Sequence, residues 1–403
     1  MNPFVFIKAS LKKHKIVSFS FVLLVALSVG LGVGISSQER ALRKGTARAA
    51  DKFDLLIASP GSKTDMLFNV VFLNPSSVEL LKPEQWAPLL SEENIVFAAP
   101  FAFGDSFKGF PVIGTTPEFV SHLTYNQIEG RLFNKIHEVV IGTGVPLSIG
   151  RHFTPHHGHG FLVDEEGHEG HRLEVVGRFD YTGTPWDRAI VTSVENIWNI
   201  HGMPNGHNPE GPSPKQIGPP YNTDFLPGVP VVIIKPSSIS AAYGLRNRYQ
   251  TDETMAFFPA EVLVQLYQYL GDITTIINAI SIVTQLLVIL AIITGLIILM
   301  QLFRKQFAIF RALGATKNYV FFVIWTYAFV LIFIGSLIGL LLGYTIASGV
   351  SMYLVEETGI YLETTIGNQE ILLVIITIIA GLGIATIPAI NLYRLPVIEN
   401  LKY

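Results

Sequence analysis

From Ile273 to Phe303 the chain carries no charged side chain. A stretch that long can cross a bilayer, which takes about 20 apolar residues. Arg304, Lys305 and Arg311 follow at once, and the apolar pattern then resumes through Val355. Two spans therefore meet at a basic elbow of about fifteen residues, too short for a domain and too polar for lipid, which puts the elbow in the cytoplasm. Within it, Phe307, Phe310 and Leu313 are spaced three apart, so one side of a short coupling helix over 304–318 is apolar. Gly314 stands where a helix C′ residue would be, and Thr316 suits the N-cap of the next span. An apolar face on such a helix needs a covering, and a soluble partner protein is the expected one.

Other blocks complete the pattern. Residues 1–15 carry Lys8, Lys12, Lys13 and Lys15 and precede a charge-free run from Ile16 to Gln38. A cleaved signal peptide shares those features, but this apolar run is too long and lacks a small-residue cleavage site directly after it, so an uncleaved anchor with a cytoplasmic N-terminus is expected. Gly30 and Gly34 in this span suit a close helix contact or simply reflect how common glycine is there. The third span, 319–352, carries Gly335, Gly339, Gly343 and Ala347 at intervals of four, which predicts a packing face where a second backbone approaches. The fourth span is 370–393, with a short acidic loop at 353–369 (Glu356, Glu357, Glu363) before it and a tail at 394–403 after it. The predicted fold class is an α-helical membrane protein with four transmembrane helices plus a large extracytoplasmic α+β domain.

That domain is the polar segment 39–258. Strand-like runs occur at 54–58, 96–99, 112–114, 139–142, 173–176, 189–192 and 231–234, with helical patterns between some of them. A smaller lobe is expected near 120–190. His201 to Pro230 holds eight prolines and five glycines and reads as an irregular excursion. From Pro259 helical spacing resumes, so 259–303 is expected to be a stalk continuous with the second span, with Gly271 as its weak point.

Composition limits the chemistry. Charged residues are 15% and apolar ones 49%, and no basic stripe suggests nucleic acid. The chain has no cysteine, so any metal must use histidine and carboxylate. There is no G-x-x-x-x-G-K-[ST] to cradle ATP and no G-x-S-x-G nucleophile turn. No span has an ionisable residue in its middle, which argues against an ion-coupled carrier. The expected chain is not an enzyme and carries no cofactor of its own.

Eight of the eleven histidines lie between His152 and His207, interleaved with Asp164, Glu165, Glu166 and Glu169. The spacings of His156, His157 and His159, and of His168 and His171, allow convergence on Zn²⁺. A solvated loop responding near pH 6.5 fits the same residues. His168-Glu169-Gly170-His171 is one residue short of a metalloprotease motif. Trp186 and Trp198 read as core residues, and Asp187 and Arg188 as a local exposed pair.

Ala308-Ile309-Phe310-Arg311-Ala312-Leu313-Gly314-Ala315 resembles the "IGILRALGA" signature of FtsX-like, MacB-like ABC transporter permeases. Pro388-Ala389-Ile390 together with Tyr393-Arg394-Leu395-Pro396-Val397-Ile398-Glu399-Asn400-Leu401-Lys402 is similar to that family's closing "PA…RLDPVEALR", without its Asp. Pro60-Gly61-Ser62, 104–110, 114–117, 182–184 and Asp187-Arg188 resemble the periplasmic insert of a subset of the family. The resemblance implies a type VII permease subunit that passes ATP-driven motion to a periplasmic domain in a bacterial inner membrane. It implies a separate cytoplasmic ABC ATPase, which brings ATP and Mg²⁺ and docks on Phe307, Phe310, Arg311, Leu313, Gly314 and Ala315. It also implies a second permease copy, most simply a homodimer, and a periplasmic protein partner. The alternatives are zinc-related transport, activation of a cell-wall hydrolase, and lipoprotein- or macrolide-type export.

Overall fold

The computed structural model describes residues 3–158, 171–211 and 215–394. The chain divides into two compact units, one of residues 1–43, 270–353 and 362–403, the other of residues 44–269 and 354–361.

In the first unit, α1 (Pro3–Lys13) precedes α2 (Lys15–Ala50), α8 ends at Ala312 after starting at Pro259, and α9 (Lys317–Thr358) and α10 (Asn368–Arg394) follow. Among the described residues three helices are long and apolar enough to cross a membrane: Lys15–Ala50, Lys317–Thr358 and Asn368–Ile387. The expected span at 16–38 is thus the apolar part of a longer helix. Helix α2 continues because its polar end is rich in alanine and because Glu39 pairs with Arg43 one turn on, at 2.7 Å. Helix α8 runs through Gly271 without a break, and the expected separate coupling helix at 304–318 is the last turns of α8. No proline interrupts Ala260 to Ala312, and an isolated glycine costs only about 1 kcal/mol against so many strong helix formers. Gly314 ends the helix at φ +92°, where only glycine is unstrained, with the Ala315 N–H donating to the Phe310 carbonyl at 2.9 Å. Thr316 then caps α9 through the Tyr319 N–H. Glu356 and Glu357, expected in the following loop, lie in the last turn of α9. The closing motif 395–402 lies outside the described residues.

The second unit is built on one mixed sheet. Its strands are β1 (Leu55–Ala58), β2 (Ile95–Phe107), β3 (Phe110–Thr115), β4 (Ile128–Gly130), β5 (Glu138–Ile141), β6 (His152–Phe153), β7 (His156–His157), β8 (Leu173–Phe179), β9 (Ile190–Ser193), β10 (Val231–Pro236) and β11 (Met255–Phe257). The order is β11-β1-β10-β2-β3-β9-β5-β8-β4, with β7 on β2 and β6 on β8. Only β3–β9 and β5–β8 are parallel. Every expected strand forms, and the described residues of 120–190 supply β4, β5 and β8, which lie beyond β9 in this same sheet.

Successive strand residues face opposite sides, and here both sides are covered. Leu56 and Ala58 pack with α3 (Lys63–Val70), α5 (Pro117–Thr124) and Trp186. Leu55 and Ile57 pack with Trp86, α6 (Val194–Ile200) and Leu245 of α7 (Ile239–Arg248). The helices therefore lie on both faces, and Trp186 and Trp198 are core residues of the two layers.

Candidate functional site

The apolar side of the elbow is already partly covered. Phe307 is buried and Phe310 half-buried, with the Phe6 ring of α1 at 5.6 Å and 5.1 Å from theirs. Phe4 and Phe6 precede the first lysine, an aromatic signal that a reading of residues 1–15 as a basic tail passes over. Outward at this end, among the described residues, are Leu313, 76% exposed, Ile309, Ala312 and Gly314. Arg311 and Ala315 are half-buried.

Gly335, Gly339 and Gly343 face α2. A Cβ on Gly339 would lie 2.6 Å from the Ala26 carbonyl oxygen, and one on Gly343 2.5 Å from that of Gly30. Val25, Val29 and Val33 fill the spaces between, each within 2.7 Å of where a Cβ would be. Ala347 continues the buried face. From the other side, a Cβ on Gly30 would meet the Gly339 carbonyl oxygen at 3.2 Å. Small residues on both helices thus let the two backbones touch, where dispersion over a long seam replaces the hydrophobic drive that lipid removes.

The histidines assemble differently from their sequence spacing. His156 and His157 are neighbours in β7 and so present opposite faces. The antiparallel pairing of β7 with β2 sets His157 opposite Asp105 and His156 opposite Ser106. Asp105 follows an irregularity in the β2–β3 register at Gly104 and is fully buried. His157 Nδ1 lies 2.9 Å from Asp105 Oδ1. His201, at the C-cap of α6, brings Nε2 to 3.6 Å from the same oxygen. Its other nitrogen, Nδ1, lies 2.8 Å from the Ile197 carbonyl. A carbonyl only accepts, so Nδ1 carries a proton, and Nε2 is the ring nitrogen directed toward the carboxylate. The two imidazoles are 4.9 Å apart between centroids. Asp105, His157 and His201 can together offer ligand atoms within 4.8 Å of one another.

Of the expected metal set, His157 is the member among the described residues that joins this cluster. His171 pairs instead with His137, ring centroids 6.0 Å apart, and burial with His171 nearby pushes the His137 pKa down. His159 and His168 lie outside the described residues. Spacing along the chain could not show Asp105 or His201, because their convergence depends on strand register and on where α6 ends.

Two buried carboxylates hold loops. Asp187 does not pair with Arg188. It is buried and accepts from the Thr182 N–H and Oγ1–H and the Gly183 N–H, all at 2.8 Å, while Arg188 lies over the Phe110 ring. Burial still raises its pKa. Glu195 accepts from Tyr221 O–H at 2.5 Å and from the Gly218 N–H at 2.7 Å, which fixes part of the proline-rich excursion. Burial, then the Glu195 charge, drives the Tyr221 pKa up.

Comparison with known proteins gives one match at the family level: the model for FtsX-like permease C-terminal domains, over residues 278–397. No curated protein matches the chain. Among solved structures, the periplasmic region of MacB from Actinobacillus actinomycetemcomitans is similar at 11% identity and a TM-score of 0.33, covering 55% of this chain and 95% of that one. The extracellular domain of the noncanonic ABC-type transporter YknZ from Gram-positive bacteria is similar at 12% identity and a TM-score of 0.29, covering 51% and 98%. The 278–397 match takes in the basic elbow and the glycine-faced α9, so the C-terminal membrane segment is similar to FtsX-like permease C-terminal domains over those residues.

Proposed function

We propose that this chain is the membrane subunit of an ABC transporter in a bacterial inner membrane, driven by a separate cytoplasmic ATPase. The FtsX-like match over 278–397 carries the reading. It is supported by the absence of a P-loop from the sequence, which leaves the energy source to another chain. In this reading the apolar run of α8 is a fourth span, and residues 44–269 stand on the far side of the membrane from the elbow. The ATPase grips the outward residues Ile309, Leu313 and Gly314, while Phe307 and Phe310 anchor the elbow on α1. Nucleotide-dependent differences in that grip shift the permease between states, because only differential contact can drive such a change. Two permease copies work together, and the periplasmic domain acts on a partner protein or cargo.

The test is Leu313→Asp together with Ile309→Asp in a chain co-expressed with its neighbouring ATPase. The expected result is loss of ATPase co-purification and of coupled hydrolysis, with the permease melting temperature unchanged. A variant that still captures and regulates the ATPase overturns the docking assignment.

A further inference from the structure

We propose that Asp105, His157 and His201 form a binding site for a divalent transition metal of borderline softness, with Zn²⁺ the fitting ion. The inference rests on the 44–269 domain alone and stands independently of the transporter reading.

The donor set fits the chemistry. Two imidazoles and one carboxylate suit Zn²⁺, whereas Ca²⁺ and Mg²⁺ want oxygen ligands throughout. Zn²⁺ bonds to nitrogen or oxygen at about 2.1 Å, which puts tetrahedral ligands about 3.4 Å apart. The separations of Asp105 Oδ1 from His157 Nδ1 and from His201 Nε2, 2.9 Å and 3.6 Å, lie on either side of that value. The remaining pair also lies within 4.8 Å, and the His157 side chain is half exposed.

The surroundings fit as well. A metal-bound histidine nearly always donates its second ring N–H to a carbonyl, carboxylate or water. His201 already does so to Ile197, which orients the ring and aims Nε2 at the carboxylate. Gly104 leaves space beside that nitrogen, since a Cβ there would lie 3.2 Å from it. A cation between these groups also compensates a carboxylate that is fully buried. Three protein ligands leave a fourth position for water or an exchangeable donor, as in open zinc sites rather than closed structural ones. Bound metal ties β7 and the end of α6 to the irregular middle of β2.

The experiment is zinc binding by the full chain in detergent, measured by equilibrium dialysis with metal analysis. The wild type is expected to retain about one Zn²⁺ per chain at free concentrations of about 10 µM. Asp105→Asn, His157→Ala and His201→Ala should each weaken retention by about tenfold or more, while His156→Ala and His171→Ala stay within about twofold. Absence of bound zinc in the wild type, or equal loss in His156→Ala and His171→Ala, overturns the site. If the alanine variants do not fold, Co²⁺ added to the wild type decides: the absorption of a tetrahedral nitrogen–oxygen site supports it, and its absence rejects it. Leu313→Asp, which tests ATPase docking, leaves this readout unchanged.

Discussion

Arg40 of α2 and Glu370 of α10 bond at 2.6 Å, with the glutamate side chain wholly buried. The same arginine donates to the Thr365 carbonyl at 2.9 Å, and Glu370 accepts from the Gly367 N–H at 2.8 Å. Removing one member of such a buried pair leaves an uncompensated charge and costs about 3–5 kcal/mol. Arg40→Ala and Glu370→Ala are each expected to lower the melting temperature sharply in detergent. The double variant should lose less than the two single losses added together, by a coupling of about 1–3 kcal/mol. Simple additivity in that cycle would show that the pair contributes nothing as a pair.

The α2–α9 seam predicts a strong dependence on position. Gly339→Val forces a side chain into the Ala26 peptide and should destabilise by about 1–3 kcal/mol. Gly349 is in the same helix, but a Cβ there meets nothing within 4 Å. Gly349→Ala should therefore be neutral or stabilising by about 0.5–1 kcal/mol, from helix propensity alone. Thermal melts of the two variants side by side check this, and equal effects would remove the backbone contact as the cause.

Acid should weaken the 44–269 domain before its carboxylates titrate. Burial lowers the pKa of His122, with Lys235 and Lys52 adding to it, and burial lowers those of His137 and His207. The unfolded chain takes up protons near pH 6.5 while the folded chain resists them, so stability is full above about pH 6.5 and declines below it. The melting temperature is expected to fall between about pH 7.5 and about pH 5.5. His122→Gln and His207→Gln should each flatten that fall, and an unchanged slope in both would assign it to other groups.

Three of the four expected spans were legible as apolar helices, because charge-free runs of that length suit lipid. Their ends were less so. Beyond Gln38 the chain turns polar, yet α2 continues to Ala50, since alanine content and a local ion pair sustain a helix that hydropathy does not register. Strands such as β1, β5 and β10 were legible as short buried runs, and their order was not, because β1 pairs with β10 across more than half the domain. The histidines show the same limit. Spacing along one segment suggested His156 with His159 and His168 with His171, whereas Asp105 meets His157 through a cross-strand register set near Gly104. His201 arrives by tertiary packing of α6. The elbow's apolar side was legible as a face, but its covering was assigned to another protein because Phe6 lies in a segment dominated by lysines.

Where α2 and α9 meet peptide to peptide, no layer of soft side chains lies between them to yield. Any side chain larger than hydrogen at Gly335, Gly339 or Gly343 would run into Val25, Val29 or Val33 and the α2 backbone. The register between the two helices is therefore set by where the glycines stand, as teeth set a rack.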